Sequence, residues 1–341
     1  MKIYPLELGL VKLKGVIMMK IRYIVLVCLC VSLSLFSVGQ AAEMPDRAEV
    51  IVFHAGSLNG PFQKIAKAFE AIHPDIKILL EGSGSQEAIR KVTKLNRPCD
   101  IIASADYAMI DTLMKPEFAQ FNVFFARNKA VLVYTAKSKY ADEINKDNWY
   151  EILARPDVEY GHTDPNLDPG GYRAVLSMEL AEKYYQLPGL YQRLENNFQP
   201  TNIVNDGKVI QEKLGAGQLD YFFMYESSAK QGGYPYVALP EQLDFSSSKY
   251  VDYYQQAVLK ITGKEEETFI VVKGQPIIYG ITLVNHSPHP AAAVEFLKFL
   301  LTDGQEFMQA AGFIPMNPPQ MPNNEMGLLP IELQHVVQGL E

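Results

Sequence analysis

The sequence predicts an α/β protein of two lobes, the second inserted into the first. Three observations carry this. Apolar runs rich in β-branched residues end in glycine, and runs with helical spacing follow them. The strand–helix pattern breaks off near residue 127 and starts again. A late strand and two amphipathic helices then close the chain.

The N-terminus stands apart from that globule. In "MMKIRYIVLVCLCVSLSLFSVGQAAEMP", Lys20 and Arg22 precede an uncharged apolar stretch from Tyr23 to Val38, and the small residues Gly39, Ala41 and Ala42 follow. That order is the order of a secretory signal, expected over residues 1–42, with Met18 or Met19 as alternative starts. A membrane anchor would need a longer run. A lipid anchor at Cys28 or Cys30 would need a small residue before the cysteine, and neither has one. The expected location is therefore outside the cytoplasmic membrane, periplasmic or extracytoplasmic.

"AEVIVFHAG" reads as the first strand, ending at Gly56. "SLNGPFQKIAKAFEAIHP" places Phe62, Ile65, Ala66 and Phe69 on one helical face and stops at Pro74. "IKILLEGSGS" is a second strand, "QEAIRKVTKL" a second helix, and "CDIIASAD" a third strand. This order predicts a mostly parallel sheet with helices on both faces. "KAVLVYTAK" supplies a strand near Ala130–Thr135, followed by helices at Asn148–Ala154, Gly171–Tyr185 and Lys208–Leu214 and a strand at "LDYFFMY". "GQPIIYGITLVN" returns as a strand before the two closing helices in "HPAAAVEFLKFLLTDGQEFMQAAGF". Crossings are expected near Phe125–Lys129 and Tyr279–Asn285. Lobe 1 is then 43–126 plus 286–341, and lobe 2 is 127–285.

The chain of 341 residues is 48% hydrophobic and 21% charged, an ordinary globular balance for two domains. Removing residues 1–41 takes five basic residues and Glu7 from totals of 31 and 39, leaving 26 basic and 38 acidic residues and a formal charge of −12. So acidic a surface argues against a nucleic-acid partner. It also means that any anion site must create its own local field. Cys99 alone remains beyond the signal, and a single cysteine cannot form an internal disulfide. A monomer is expected.

Function is legible at the chain turns. Four times a strand or stiff loop gives way to small polar residues and a helix start: "HAGSLN", "EGSGSQEA", "NLDPGGYRA" and "MYESSAK". In open α/β sheets ligands collect beyond the carboxyl ends of strands. Helix N-termini there present unpaired N–H groups and partial positive charge, and so bind anions without a lysine or arginine. Each residue also has a structural reading. Ser57 and Ser85 suit N-caps, Asp168 before Pro169 suits an N-cap with proline at the first helical position, and Glu226 could be a surface residue. His54, His286 and His289 read as packed or solvated residues rather than metal ligands. "GAGQ" and "GSGS" lack the Lys-Ser/Thr of a phosphate loop.

"HAGSL", "EGSGSQEAIRKV", "CDIIASADY", "TDPNLDPGGYR" and "YFFMYESSA" together resemble the tungstate/molybdate-binding proteins of ABC importers, in their archaeal-type branch. The resemblance spans roughly Glu49 to Pro315. It implies a two-lobed periplasmic-binding-protein fold of type II, with a ligand cleft between the lobes, that captures an oxyanion and delivers it to a membrane permease. It implies a binding protein and no enzyme, with no cofactor beyond the ligand. Gly56, Ser57 and Ser85 would donate hydrogen bonds from the first lobe. Asp168, the backbone of Pro169–Gly170, and Glu226 would act from the second. Asp168 and Glu226 would approach the tungsten or molybdenum atom itself. The family's cysteine after "DP" is replaced here by Gly170. The alternatives are a binder of another oxyanion, sulfate or phosphate, a signal-relay module that contacts a sensor instead of a permease, and a secreted hydrolase with a carboxylate pair.

Overall fold

Strands form where the β-branched runs were read. The computed structural model describes residues 47–340 apart from Glu266, so the signal expected at 1–42 lies outside the described residues. Strand β1 (Ala48–Ala55) runs through a short 3₁₀ turn, Gly56–Leu58, into helix α1 (Asn59–Ile72). Strand β2 (Ile76–Ser83) leads to α2 (Ser85–Thr93), and β3 (Ile101–Ser104) leads to α3 (Tyr107–Leu113). Strands β4 (Val123–Arg127) and β5 (Ala130–Val133) follow, then α4 (Trp149–Leu153), β6 (Tyr160–Gly161) and α5 (Pro169–Tyr184). Next come α6 (Leu190–Asn197), α7 (Gly207–Ala216), β7 (Tyr221–Tyr225), α8 (Glu226–Gly232) and β8 (Tyr236–Ala238). Two single-turn helices, α9 (Glu241–Asp244) and α10 (Val251–Tyr254), precede an antiparallel ribbon of β9 (Val258–Thr262) and β10 (Phe269–Lys273). The chain closes with β11 (Ile278–Leu283), α11 (Pro290–Leu301), α12 (Gln305–Ala310), β12 (Ile314–Pro322) and β13 (Gln338–Leu340).

The strands assemble into a seven-stranded sheet, order β13-β12-β4-β11-β3-β1-β2, and a four-stranded sheet, order β6-β7-β5-β8. Strand β1 pairs in parallel with β2 and β3, as the β-α-β-α-β order predicts. Apart from a parallel β12–β13 pair at the far edge, the expectation of a mostly parallel sheet fails in the rest of this sheet. Strand β11 enters between β3 and β4 and runs antiparallel to both, and β12 is antiparallel to β4. The chain returns to the large sheet from the far side, so its last strands run against the first. The segment Tyr279–Asn285, read as a crossing, is mostly occupied by β11.

Packing follows the helical spacing. Phe62, Ile65 and Phe69 on α1 are fully buried, each contributing roughly 1.5–3 kcal/mol of apolar burial. Helix α1 stops where Pro74 follows His73, whose N–H closes the last turn on the Phe69 carbonyl at 2.9 Å. The carboxyl ends of β1 and β2 therefore open into two helix starts, side by side.

Candidate functional site

A cavity of about 760 Å³ opens where those helix starts meet the loop after β6. On the large-sheet side it is lined by Gly56, Ser57, Gly82, Ser83, Gly84 and Glu87, and on the other by Thr163, Asp168, Gly170, Tyr225 and Ser228. Of the residues singled out from the sequence, the cavity brings together Gly56, Ser57, Asp168 and Gly170. Ser85, Pro169 and Glu226 do not line it.

Ser57 does not cap its helix, contrary to the structural reading of that residue. Its hydroxyl instead shares a 2.8 Å hydrogen bond with the hydroxyl of Tyr279 on β11. Tyr279 also accepts from the Asn128 amide at 3.2 Å, and the same amide donates to the Ser227 hydroxyl at 2.7 Å. Burial raises the Tyr279 phenol well above its ordinary value, so it stays a neutral donor or acceptor. Ser57 is thereby held at the cavity wall by a chain that runs from the large sheet to α8.

Ser85 is likewise no cap. Gly84 occupies the cap position, and the fully buried Ser85 hydroxyl accepts from the Ala105 N–H at 2.9 Å. It ties the start of α2 to the end of β3. The serine of "GSGS" that lines the cavity is Ser83. The Lys91 ammonium stands behind it, 2.9 Å from the Ser83 hydroxyl and 3.0 Å from Glu81.

Asp168 fulfils its capping reading and does more. Its Oδ1 accepts from the Gly170 N–H at 2.7 Å and from the Thr163 hydroxyl at 2.9 Å. Among the described residues no hydrogen bond reaches Oδ2. Pro169 has no N–H, and the Gly170 N–H is taken by the aspartate, so this helix start presents a carboxylate to the cavity in place of amides. Burial raises the Asp168 carboxyl above its ordinary value, against the pull of Thr163, Gly170 and the Arg173 cation.

Glu226 sits in another setting. Its Oε1 accepts from the Tyr236 hydroxyl at 2.7 Å and lies 3.2 Å from the Lys129 ammonium, while Oε2 lies 3.4 Å from Lys230 one helical turn on. Burial pushes this carboxyl up, but Tyr236, Lys129 and Lys230 outweigh it and hold it below its ordinary value. The end of β7 turns Met224 and Tyr225 to the cavity instead. Sequence reading also passed over Glu87 and Thr163, which line it. Thr163 carries a signal in "HTDPN", a hydroxyl beside a proline-stiffened aspartate loop; Glu87 carries none, because an acid in the first turn of a helix is ordinary.

Beneath the site lies a buried ion pair. Arg173 on α5 is 1% exposed, and its guanidinium lies 3.1 Å from the Asp106 carboxylate at the end of β3. It also donates to the Ala105 carbonyl at 2.9 Å and to the Tyr225 hydroxyl at 2.7 Å. The Tyr172 hydroxyl donates to the same Asp106 carboxylate. A fixed cation that already has its counter-ion can lend positive potential to the cavity without itself being left unpaired when the cavity is empty.

Known proteins match this chain over most of its length. A family profile described as bacterial extracellular solute-binding protein matches residues 50–314. A protein of Petrotoga mobilis, described as an uncharacterized solute-binding protein, is 47% identical over 85% of this chain and 90% of its own length. The molybdate/tungstate-binding protein WtpA of Thermococcus kodakarensis is 37% identical over 91% of this chain and 95% of its own. Among solved structures, the periplasmic molybdate-binding protein of Azotobacter vinelandii aligns with a TM-score of 0.55 at 15% identity, covering 78% of this chain and 98% of that one. The sulfate-binding protein SubI of Mycobacterium tuberculosis gives 0.55 at 14% identity over 80% and 88%. At such identities the likeness is one of fold, the two-lobed α/β fold of the periplasmic binding proteins.

Proposed function

Because the chain belongs to the bacterial extracellular solute-binding proteins, we propose that it captures tungstate or molybdate in the Asp168 cavity and delivers it to the permease of an ABC importer. In this reading residues 1–42 direct export and the mature protein acts as a monomer. The large sheet and the four-stranded sheet belong to separate lobes that close on the ion, and β11 goes with the large-sheet lobe. Strong likeness to a molybdate/tungstate-binding protein supports the ligand class.

The observation that carries the reading is the carboxylate of Asp168, oriented through one oxygen at the wall of the cavity. A carboxylate beside a dianion is repelled, by about 4 kcal/mol per pair of unit charges at close range in an intermediate dielectric. The contact becomes attractive when the ion has an electrophilic centre that can accept another oxygen. Hexavalent tungsten and molybdenum are hard, oxygen-seeking centres of that kind, and the sulfur of sulfate is not. The same carboxylate thus attracts one oxyanion and repels another. Ser57 and the backbone at Gly56, where β1 gives way to α1, supply hydrogen bonds to the outer oxygens. Glu226 would have to release Lys129 and Lys230 to reach the metal, so we place Asp168 first and Glu226 second.

Thermal unfolding tests the ligand class. At 100 times the dissociation constant, tungstate and molybdate should each add about 2.7 kcal/mol of stability. Sulfate at the same concentration should add almost none. Equal shifts from all three would turn the reading into that of a general oxyanion binder.

A further inference from the structure

The turn that carries Asp168 is held by one helix of the opposite sheet. Three successive carbonyls of this turn accept hydrogen bonds from α2, which packs on β1 and β3 of the large sheet. The Gln86 side-chain amide donates to the Pro165 carbonyl at 3.2 Å. The Arg90 guanidinium donates to the Asn166 carbonyl at 2.8 Å. The backbone N–H groups of Gln86 and Glu87 both donate to the Leu167 carbonyl, at 3.1 and 3.3 Å.

Arg90 does more than bind the turn. Its second terminal nitrogen donates to the Thr262 carbonyl at 3.1 Å, at the end of β9. The Thr262 N–H and hydroxyl in turn both reach the Asn166 side-chain oxygen at 2.9 Å. Turn, ribbon and helix therefore meet on one planar guanidinium. Gly84 makes the approach possible: a methyl group there would sit 2.1 Å from the Leu167 carbonyl oxygen and 3.1 Å from the Asp168 Cβ. Of the N–H groups at the start of α2 that the sequence offered to an anion, those of Gln86 and Glu87 are engaged by the turn itself.

We propose that Arg90 is a positioning residue that latches the 164–168 turn onto α2 in the ligand-free chain as well as around the ion, and so fixes Asp168 at the cavity wall before the ion arrives. It acts through Asn166 and Thr262 and does not touch the ligand. The latch rests on the reading of Asp168 as the ion's partner, and its test has a readout that is independent of any ligand. A guanidinium is required because two carbonyls must be reached in one plane; an ammonium on a flexible stem satisfies one of them.

The test uses the full chain, with molybdate as the probe, and compares wild type, Arg90→Lys, Arg90→Ala and Asn166→Ala. Stopped-flow dissociation should accelerate about tenfold to a hundredfold in Arg90→Ala, the loss expected for hydrogen bonds from a charged group, with the association rate little changed. Arg90→Lys should fall between Arg90→Ala and wild type. Asn166→Ala should share the effect, and the double variant should be no worse than Arg90→Ala, because both act through one turn. Without ligand, hydrogen exchange at the Gln86 and Glu87 amides should quicken in Arg90→Ala, while amides of the β1–β2 ladder exchange as in wild type. Unchanged exchange at Gln86 and Glu87 would overturn the latch whether or not molybdate binds. So would an unchanged dissociation rate with binding confirmed. If wild type fails to bind molybdate while the exchange result holds, the ligand reading fails and the latch stands.

Discussion

The hydroxyl of Thr163 donates to Oδ1 of Asp168 over 2.9 Å, so a residue five positions earlier in the same loop sets the plane of the carboxylate. The Gly170 N–H holds the same oxygen from the helix side. Two donors on one oxygen fix the direction of the other. Thr163→Val keeps the shape and removes one donor. Tungstate affinity should fall about tenfold, the scale of one hydrogen bond to a charged group, with little change in the unfolding midpoint. Isothermal titration checks it, and an unchanged affinity would show that Gly170 alone suffices.

Gly84→Ala tests closure from the other side. The added methyl would meet the backbone carbonyl of Leu167 at 2.1 Å, a contact that no side-chain rotation relieves. The turn must retreat from α2, so tungstate should bind at least about tenfold more weakly. Small-angle scattering should show the tungstate-loaded variant with a larger radius than the loaded wild type. Equal radii and equal affinity would mean that α2 and the turn can separate without cost.

His54 gives a pH dependence with a definite sign. It is fully buried at the end of β1, its Nδ1–H donates to the Ala55 carbonyl at 2.9 Å, and its Nε2 has no partner among the described residues. Burial lowers its pKa from 6.5 to about 4, so the unfolded chain takes up a proton before the folded one does. Stability from neutral His54 is complete above pH 6.5 and is lost as pH falls towards 4, by about 3 kcal/mol. Asp244, raised by burial to about 6, opposes this over part of the same range. Urea unfolding of wild type and His54→Asn at pH 7 and pH 4 separates the two, because Asp244 titrates in both proteins. The stability advantage of wild type should shrink by about 3 kcal/mol at the lower pH. An advantage that stays constant would mean that His54 does not titrate in this window.

Local patterns carried the first half of the large sheet. The apolar runs of β1 and β2, ending in glycine and followed by helical spacing, gave strands, helices and parallel pairing together. The entry of β11 between β3 and β4 depends on which partner a strand finds some 150 residues away, and no spacing in "PIIYGITLVN" encodes that. The β9–β10 ribbon was missed because one face is exposed, with Val258, Val271 and Phe269 all outward. At the site, Asp168 was legible because proline and glycine fix its loop locally. Glu226 was placed at the right strand end, but its partner Lys129 comes from the neighbouring strand β5 side, and only Lys230, four residues on, was visible in the sequence. Ser83 and Ser85 differ by two positions in a run of small residues, and only tertiary packing decides which of the two lines the cavity.

Whether Asp168 touches the metal atom is decided most directly by isothermal titration of wild type, Asp168→Asn and Glu226→Gln with tungstate and sulfate. Asparagine caps a helix as well as aspartate does, so Asp168→Asn should unfold within about 0.5 kcal/mol of wild type. Its tungstate affinity should nevertheless fall by about a hundredfold or more, while sulfate binds no worse and even gains from the lost negative charge. Glu226→Gln, whose carboxylate is held by Lys129 and Lys230, should lose less tungstate affinity than Asp168→Asn. Tungstate binding that survives Asp168→Asn unchanged would contradict the account and leave Asp168 as the cap of α5.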